Sequence, residues 1–182
     1  MYSNNSFYES KLKPDTPGMS HVTIRDAEPA DADAIAVIYN QGIEDRLATL
    51  ETETRSAEER RRWLAARGPR HPVIVGQVDG RVVGWGSLNS FNPRPAYDHV
   101  ADFSVYVGRD RRGRGVGYRL LETLIARARE LAYHKLVLAA FPFNAAGLTL
   151  YRRLGFAEVG VYREQGQLDG KWVDVVVMER LL

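Results

Sequence analysis

The residues best suited to chemistry in this chain of 182 residues stand in one short run, Arg111-Arg112-Gly113-Arg114-Gly115-Val116-Gly117. Glycines let successive backbone N–H groups converge. A helix that follows them adds about half a positive charge at its N-terminus, and arginine forks pair with phosphate oxygens. The run therefore reads as an anion site. Two well-known phosphate-binding patterns fail on it. Gly108 and Gly113 have P-loop spacing, but Arg114-Gly115 stands where Lys-Ser/Thr is required. The dinucleotide fingerprint begins at Gly113 and Gly115 and meets Tyr118 where its third glycine belongs. A third pattern, Gln/Arg-x-x-Gly-x-Gly/Ala, is filled by Arg112, Gly115 and Gly117. His21, His71, His99 and His134 have no metal-ligand spacing, so no metal site is expected.

The run needs a strand before it and a helix after it, and the pattern supplies both. Residues 101–107 alternate as a strand, and Leu121, Leu124, Ile125, Ala128 and Leu131 mark one face of a long helix. Upstream, residues 21–25 alternate, and Ile35, Ile38 and Ile43 form a helical stripe after Pro29 and Asp31. Ser56 and Glu59 make a capping box before a second helix, whose Arg60-Arg61-Arg62 is expected on a solvated face. Residues 73–78 and 81–88 read as a hairpin across Asp79-Gly80, and 89–99 as a Pro- and Asn-rich loop. Downstream come a strand at 135–140, a helix at 144–154 closed by Gly155, and strands at 156–163 and 172–179 across Asp169-Gly170. Trp172 is expected in the core or at a dimer contact. The order β-α-α-β-β-β-α-β-α-β-β predicts a mixed α/β sheet with antiparallel hairpins and one βαβ crossover.

Composition narrows the classes. With 45% hydrophobic and 26% charged residues the chain is a soluble globular type. The absence of cysteine excludes disulfide frameworks and thiolate chemistry. A net charge of +2 is too even for a general nucleic-acid binder, and no apolar run reaches membrane-span length. A cytoplasmic protein is expected, with residues 1–20 a disordered extension and residues 21–182 a single domain.

Beyond the glycine run, Asn144 precedes a helix, and Leu150-Tyr151-Arg152-Arg153-Leu154-Gly155-Phe156 follows it. With Arg112, Gly115 and Gly117, these segments resemble the GNAT N-acetyltransferases over about residues 20–182. Ile38–Arg46, Pro95-Ala96-Tyr97-Asp98, Ser104–Val107 and Gly170–Val175 are similar to the phosphinothricin and arsinothricin N-acetyltransferase branch. The resemblance implies a mostly antiparallel sheet of about six to seven strands flanked by helices, with the crossover holding acetyl-CoA. It implies transfer of acetyl to the α-amino group of a small glutamate-like amino acid, as detoxification, by a homodimer. The alternatives are acetylation of a protein N-terminus and a non-catalytic acyl-CoA-binding module.

Amine acetylation needs a proton removed, a carbonyl polarised and a thiolate stabilised. By the resemblance, Asp102 stands where the branch has Glu. It is one methylene shorter, which favours a water-relayed proton over direct contact. Tyr151 matches the tyrosine near the CoA sulfur, and backbone groups of Val105, Tyr106 and Val107 lie along the pantetheine arm. Arg112, Gly113, Arg114, Gly115, Val116 and Gly117 match the pyrophosphate loop, with Asn144 also on the cofactor. Arg94 and Tyr97 are the expected acceptor-binding groups.

Overall fold

The computed structural model describes residues 22–182. The expectation of disorder for residues 1–20, and the start of the first strand at His21, lie outside the described residues. The chain runs β1 (Thr23–Asp26), α1 (Ala32–Glu44), α2 (Ala57–Ala65), β2 (Val73–Val78), β3 (Arg81–Ser90) and β4 (Val100–Val107). It continues through α3 (Val116–Glu130), β5 (Lys135–Ala140), α4 (Ala145–Arg153), β6 (Ala157–Leu168) and β7 (Lys171–Leu181). One seven-stranded sheet forms, in the order β1-β2-β3-β4-β5-β7-β6. Among the described residues β4 and β5 are the neighbouring parallel pair, joined by α3; β5 and β6 also run parallel, joined by α4 with β7 between them, so the sheet has a second crossover beyond the one expected.

The local signals act as their chemistry requires. Ser56 Oγ accepts from the Glu59 N–H while Glu59 accepts from the Ser56 N–H, closing the capping box at α2. Asp79 and Gly80 both take positive φ, as a two-residue hairpin turn demands, and so do Asp169 and Gly170. Helices cover both faces of the sheet. On one face Ile35, Ile38, Tyr39 and Ile43 of α1 meet Val73, Val75 and Trp85. On the other, Leu120, Leu121, Leu124, Ile125 and Ala128 of α3 meet Ile74, Leu88, Leu136 and Met178.

The helix α3 lies close because β3 carries glycines beneath it. A Cβ at Gly86 would stand 2.9 Å from Leu124 Cδ1 and 3.0 Å from the Ser104 carbonyl oxygen. Those distances leave no room for a side chain.

Leu131, just past the end of α3 at Glu130, is partly buried and packs against the same core. Three expectations need correction. The strand expected at 156–163 continues to Leu168. It passes an irregularity at Glu164, whose positive φ is held by its N–H donating to Asp174 Oδ1 at 2.8 Å. Of the two places expected for Trp172, the core is excluded, because it is 60% exposed. Arg60 leaves the solvated face of α2 and turns inward, because it shares a helical stripe with Trp63 and Leu64, which pack on the α1 side of the sheet. Arg61 and Arg62 stay exposed. Among the described residues no helix is long and apolar enough to cross a membrane.

Candidate active site

The centre of the site is a defect in the sheet. β4 and β5 pair only from Val100↔Lys135 to Asp102↔Val137. Beyond that point β4 stays with β3 as far as Val107↔Gly84, while β5 stays with β7 as far as Ala140↔Val176. The two strands therefore diverge, and β4 from Phe103 onward keeps backbone groups that β5 does not engage. A cavity of about 370 Å³ fills the divergence, lined by Asp102–Tyr106, Leu138–Ala140, Asn144 and Tyr151. It adjoins a second of about 350 Å³ that runs along Val105–Val107 to Arg111, Arg112, Gly113, Gly115 and Gly117.

The glycine turn is built as an N–H cradle. Gly113 and Gly115 have φ of 73° and 82°, a region open to glycine, and Gly115 caps α3. Its arginines divide their work. Arg112 gives Nε to the Val107 carbonyl at 3.1 Å and Nη1 to Asp45 at 2.6 Å. Arg109 gives Nε to the same carboxylate at 2.9 Å and Nη2 to Glu44 at 2.7 Å. The hydrogen bond from Arg109, then that from Arg112, holds the Asp45 carboxyl below the usual range. Arg112 thus fastens the turn to the end of α1, while Arg111, paired among the described residues with its neighbour Asp110 at 3.3 Å, lines the cavity. Arg114 makes no ion pair among the described residues, and its side chain is not in the cavity wall. The Val116 side chain is in the core beneath α3.

Asp102 sits on β4 opposite Asn89 of β3. Burial raises its pKa, and a hydrogen bond from Asn89 with the nearby charges of Arg67 and His71 opposes that rise. Arg67 is tied to this place: Nε donates to the His71 carbonyl at 2.9 Å, and Nη2 to Asn89 Oδ1 at 3.0 Å and to the Leu88 carbonyl. Asn89 Nδ2 in turn donates to Ser104 Oγ at 3.2 Å. Tyr151 is packed edge-on to Phe103 and Phe156, and burial pushes its phenol up to about 12. Asn144 Oδ1 accepts from the Gly147 N–H at 3.0 Å, capping α4, and its side chain also reaches the cavity.

The structure thus brings together Asp102, Val105, Tyr106, Val107, Arg112, Gly113, Gly115, Gly117, Asn144 and Tyr151. It leaves Arg94 and Tyr97 apart, on the exposed connection between β3 and β4, where Tyr97 packs edge-on to Phe91. Neither lines the two cavities. Asn89, Arg67 and His71 carry no spacing signal in the sequence. They gather through a sheet register that a nine-residue connection does not reveal. Among the described residues no group of three His, Asp or Glu side chains could hold a metal ion.

A splayed parallel pair beside a glycine turn makes a groove for an extended ligand that ends in phosphate. The acetyltransferase (GNAT) family model matches residues 38–156, and the chain belongs to that family. It is an N-acetyltransferase whose acyl donor is acetyl-CoA. It is 36% identical to an L-methionine sulfoximine/L-methionine sulfone acetyltransferase of Pseudomonas paraeruginosa, over 86% of this chain and 92% of that one. A crystal structure of a phosphinothricin acetyltransferase from Sinorhizobium meliloti with acetyl-CoA superposes with a TM-score of 0.84. It is 30% identical and covers 88% of each chain. A crystal structure of a ribosomal-protein-alanine N-acetyltransferase from Brucella melitensis has a TM-score of 0.85 and 38% identity, covering 88% of this chain and 99% of its own.

Proposed function

We propose that this enzyme acetylates the α-amino group of a small glutamate-like amino acid such as phosphinothricin, arsinothricin, methionine sulfone or sulfoximine, disarming it. The observation that carries the reading is the cavity between β4 and β5, with one half-buried carboxylate at its apex and the Arg67 guanidinium and His71 behind it. Such a pocket suits a compact zwitterion with an acidic or polar head.

In this reading Asp102 takes the ammonium proton through a water, since its pKa is raised by burial and its reach is short. Backbone groups of Val105–Val107 on the side away from β3 steer the thioester, and the new N–C bond forms as the C–S bond breaks. Tyr151 then donates a hydrogen bond to the departing thiolate. Gly113–Gly117 hold the diphosphate, with Asn144 beside the pantetheine arm. Arg94 and Tyr97 meet the acceptor when their loop folds over it. The enzyme works as a homodimer in the cytoplasm, joined through the exposed apolar residues Val159, Val161, Tyr162 and Trp172 of the β6–β7 hairpin.

The test is acetyl-CoA-dependent thiol release with phosphinothricin, arsinothricin, methionine sulfone, glutamate and an N-terminal ribosomal peptide. Turnover confined to the amino-acid analogues supports the reading. Turnover of the peptide alone overturns it in favour of protein acetylation, the activity named for the Brucella melitensis structure.

A further inference from the structure

Next to the reaction cavity, sharing Asn89, Ser104 and Tyr106 with it, lies a third hollow of about 390 Å³. Its wall includes Tyr39, Arg60, Trp63 and Trp85. Arg60 is only 9% exposed, with its guanidinium 4.0 Å from the Tyr39 ring centroid and 5.4 Å from that of Trp63. Its Nε has no hydrogen-bond acceptor, and among the described residues no carboxylate comes within ion-pair distance of it. The two acids on the same wall, Glu51 and Glu59, are both engaged by Arg55, at 2.9 and 3.6 Å. The indole N–H of Trp85, fully buried, also lacks an acceptor.

A buried guanidinium without a counter-ion is costly, and an apolar side chain of similar size would fill the same space without that cost. The aromatic rings offset part of it but supply no lone pair for the donors. An unpaired guanidinium on the wall of a hollow beside the reaction cavity is the place for an oxyanion.

We propose that Arg60 is the residue that selects the acceptor by its head group. It receives the oxyanionic end of the side chain, a phosphinate or carboxylate, while the α-amino group lies at Asp102. This assignment rests on the acceptor reading above, and it places the selecting cation on α2 rather than on the Arg94 loop.

The test compares phosphinothricin, whose head is anionic, with methionine sulfone, which has the same amino-acid end and a neutral tetrahedral head. Rates of thiol release at saturating acetyl-CoA are measured for the wild type, Arg60→Met and Arg60→Lys. Losing a charge-assisted contact should lower kcat/KM for phosphinothricin about 10- to 100-fold in Arg60→Met, mainly through KM, and for methionine sulfone less than about threefold. Arg60→Lys, which keeps the charge, should fall between the two and serves alone if the Met variant does not fold. Equal losses on both acceptors, or none on either, overturn the assignment while leaving the acceptor reading intact. A wild type that acetylates neither compound overturns both.

Discussion

Tyr151 invites the sharpest test, because its role as a proton donor and its role as a hydrogen-bond donor predict different behaviour. Its phenol is pushed up to about 12 by burial, whereas a free thiol ionises near about 8.5. Handing the proton fully to the thiolate is then uphill by about 3.5 units, or about 5 kcal/mol at roughly 1.36 kcal/mol per unit. Tyr151 should therefore stabilise the leaving group while keeping its proton. A hydrogen bond to a charged group contributes about 1.5–3 kcal/mol, so Tyr151→Phe should lower kcat about 10- to 150-fold. The ring remains packed on Phe103 and Phe156, so KM for acetyl-CoA should barely change. Stopped assays of thiol release across pH 6–10 decide the matter. The wild type should show no basic limb from the phenol in that range. A kcat loss under about threefold, or a raised KM with kcat intact, would refute the reasoning and leave Tyr151 a packing residue.

Arg67→Met should move the acid limb of the kcat/KM profile to higher pH. The guanidinium favours the ionised form of Asp102, so removing it raises a pKa that burial has already lifted. An acid limb that stays in place would separate the limb from Asp102. Asp31 accepts from Arg25 at 2.7 and 2.8 Å and from the Glu28 N–H at 2.8 Å, and the hydrogen bonds from Arg25 chiefly hold its carboxyl below the usual range. A depressed folded pKa stabilises the fold above the unfolded carboxylate pKa, and the gain is lost as pH falls through the folded value. Asp31→Asn should thus cost about 1–2 kcal/mol at pH 7, or about 2–8 °C in Tm, with the gap closing in acid. Thermal melts at pH 7 and pH 3 check this, and equal gaps at both would contradict it. Sedimentation should find a dimer for the wild type and a monomer for Val161→Asp with Trp172→Asp; an unchanged sedimentation coefficient would remove the hairpin from the interface.

What the chain encodes locally is legible in the order of its residues. The capping box at Ser56 and Glu59, the turns at Asp79-Gly80 and Asp169-Gly170, and the stripe of Leu121, Leu124, Ile125 and Ala128 depend on residues a few positions apart. The glycines of the cradle are local in the same sense, since positive φ at Gly113 and Gly115 is a property of one residue and its neighbours. The strand expected at 135–140 forms over the same six residues.

Contacts distant in sequence are decided only by the tertiary structure. The divergence of β4 from β5 arises because each strand follows a different partner, a matter of register that alternation does not encode. Asp45 reaches Arg109 and Arg112 across more than sixty positions, which turns a stretch that resembles a branch signature into a clamp on the cofactor turn. Arg60 shows the limit most plainly. Its spacing from Trp63 and Leu64 is a helical stripe visible in the sequence, but a charged residue in such a stripe reads as solvated until the sheet behind it is known. Helix and turn propensities are set within a turn or two of chain, whereas burial of a charge depends on which surfaces the whole fold brings to bear on it.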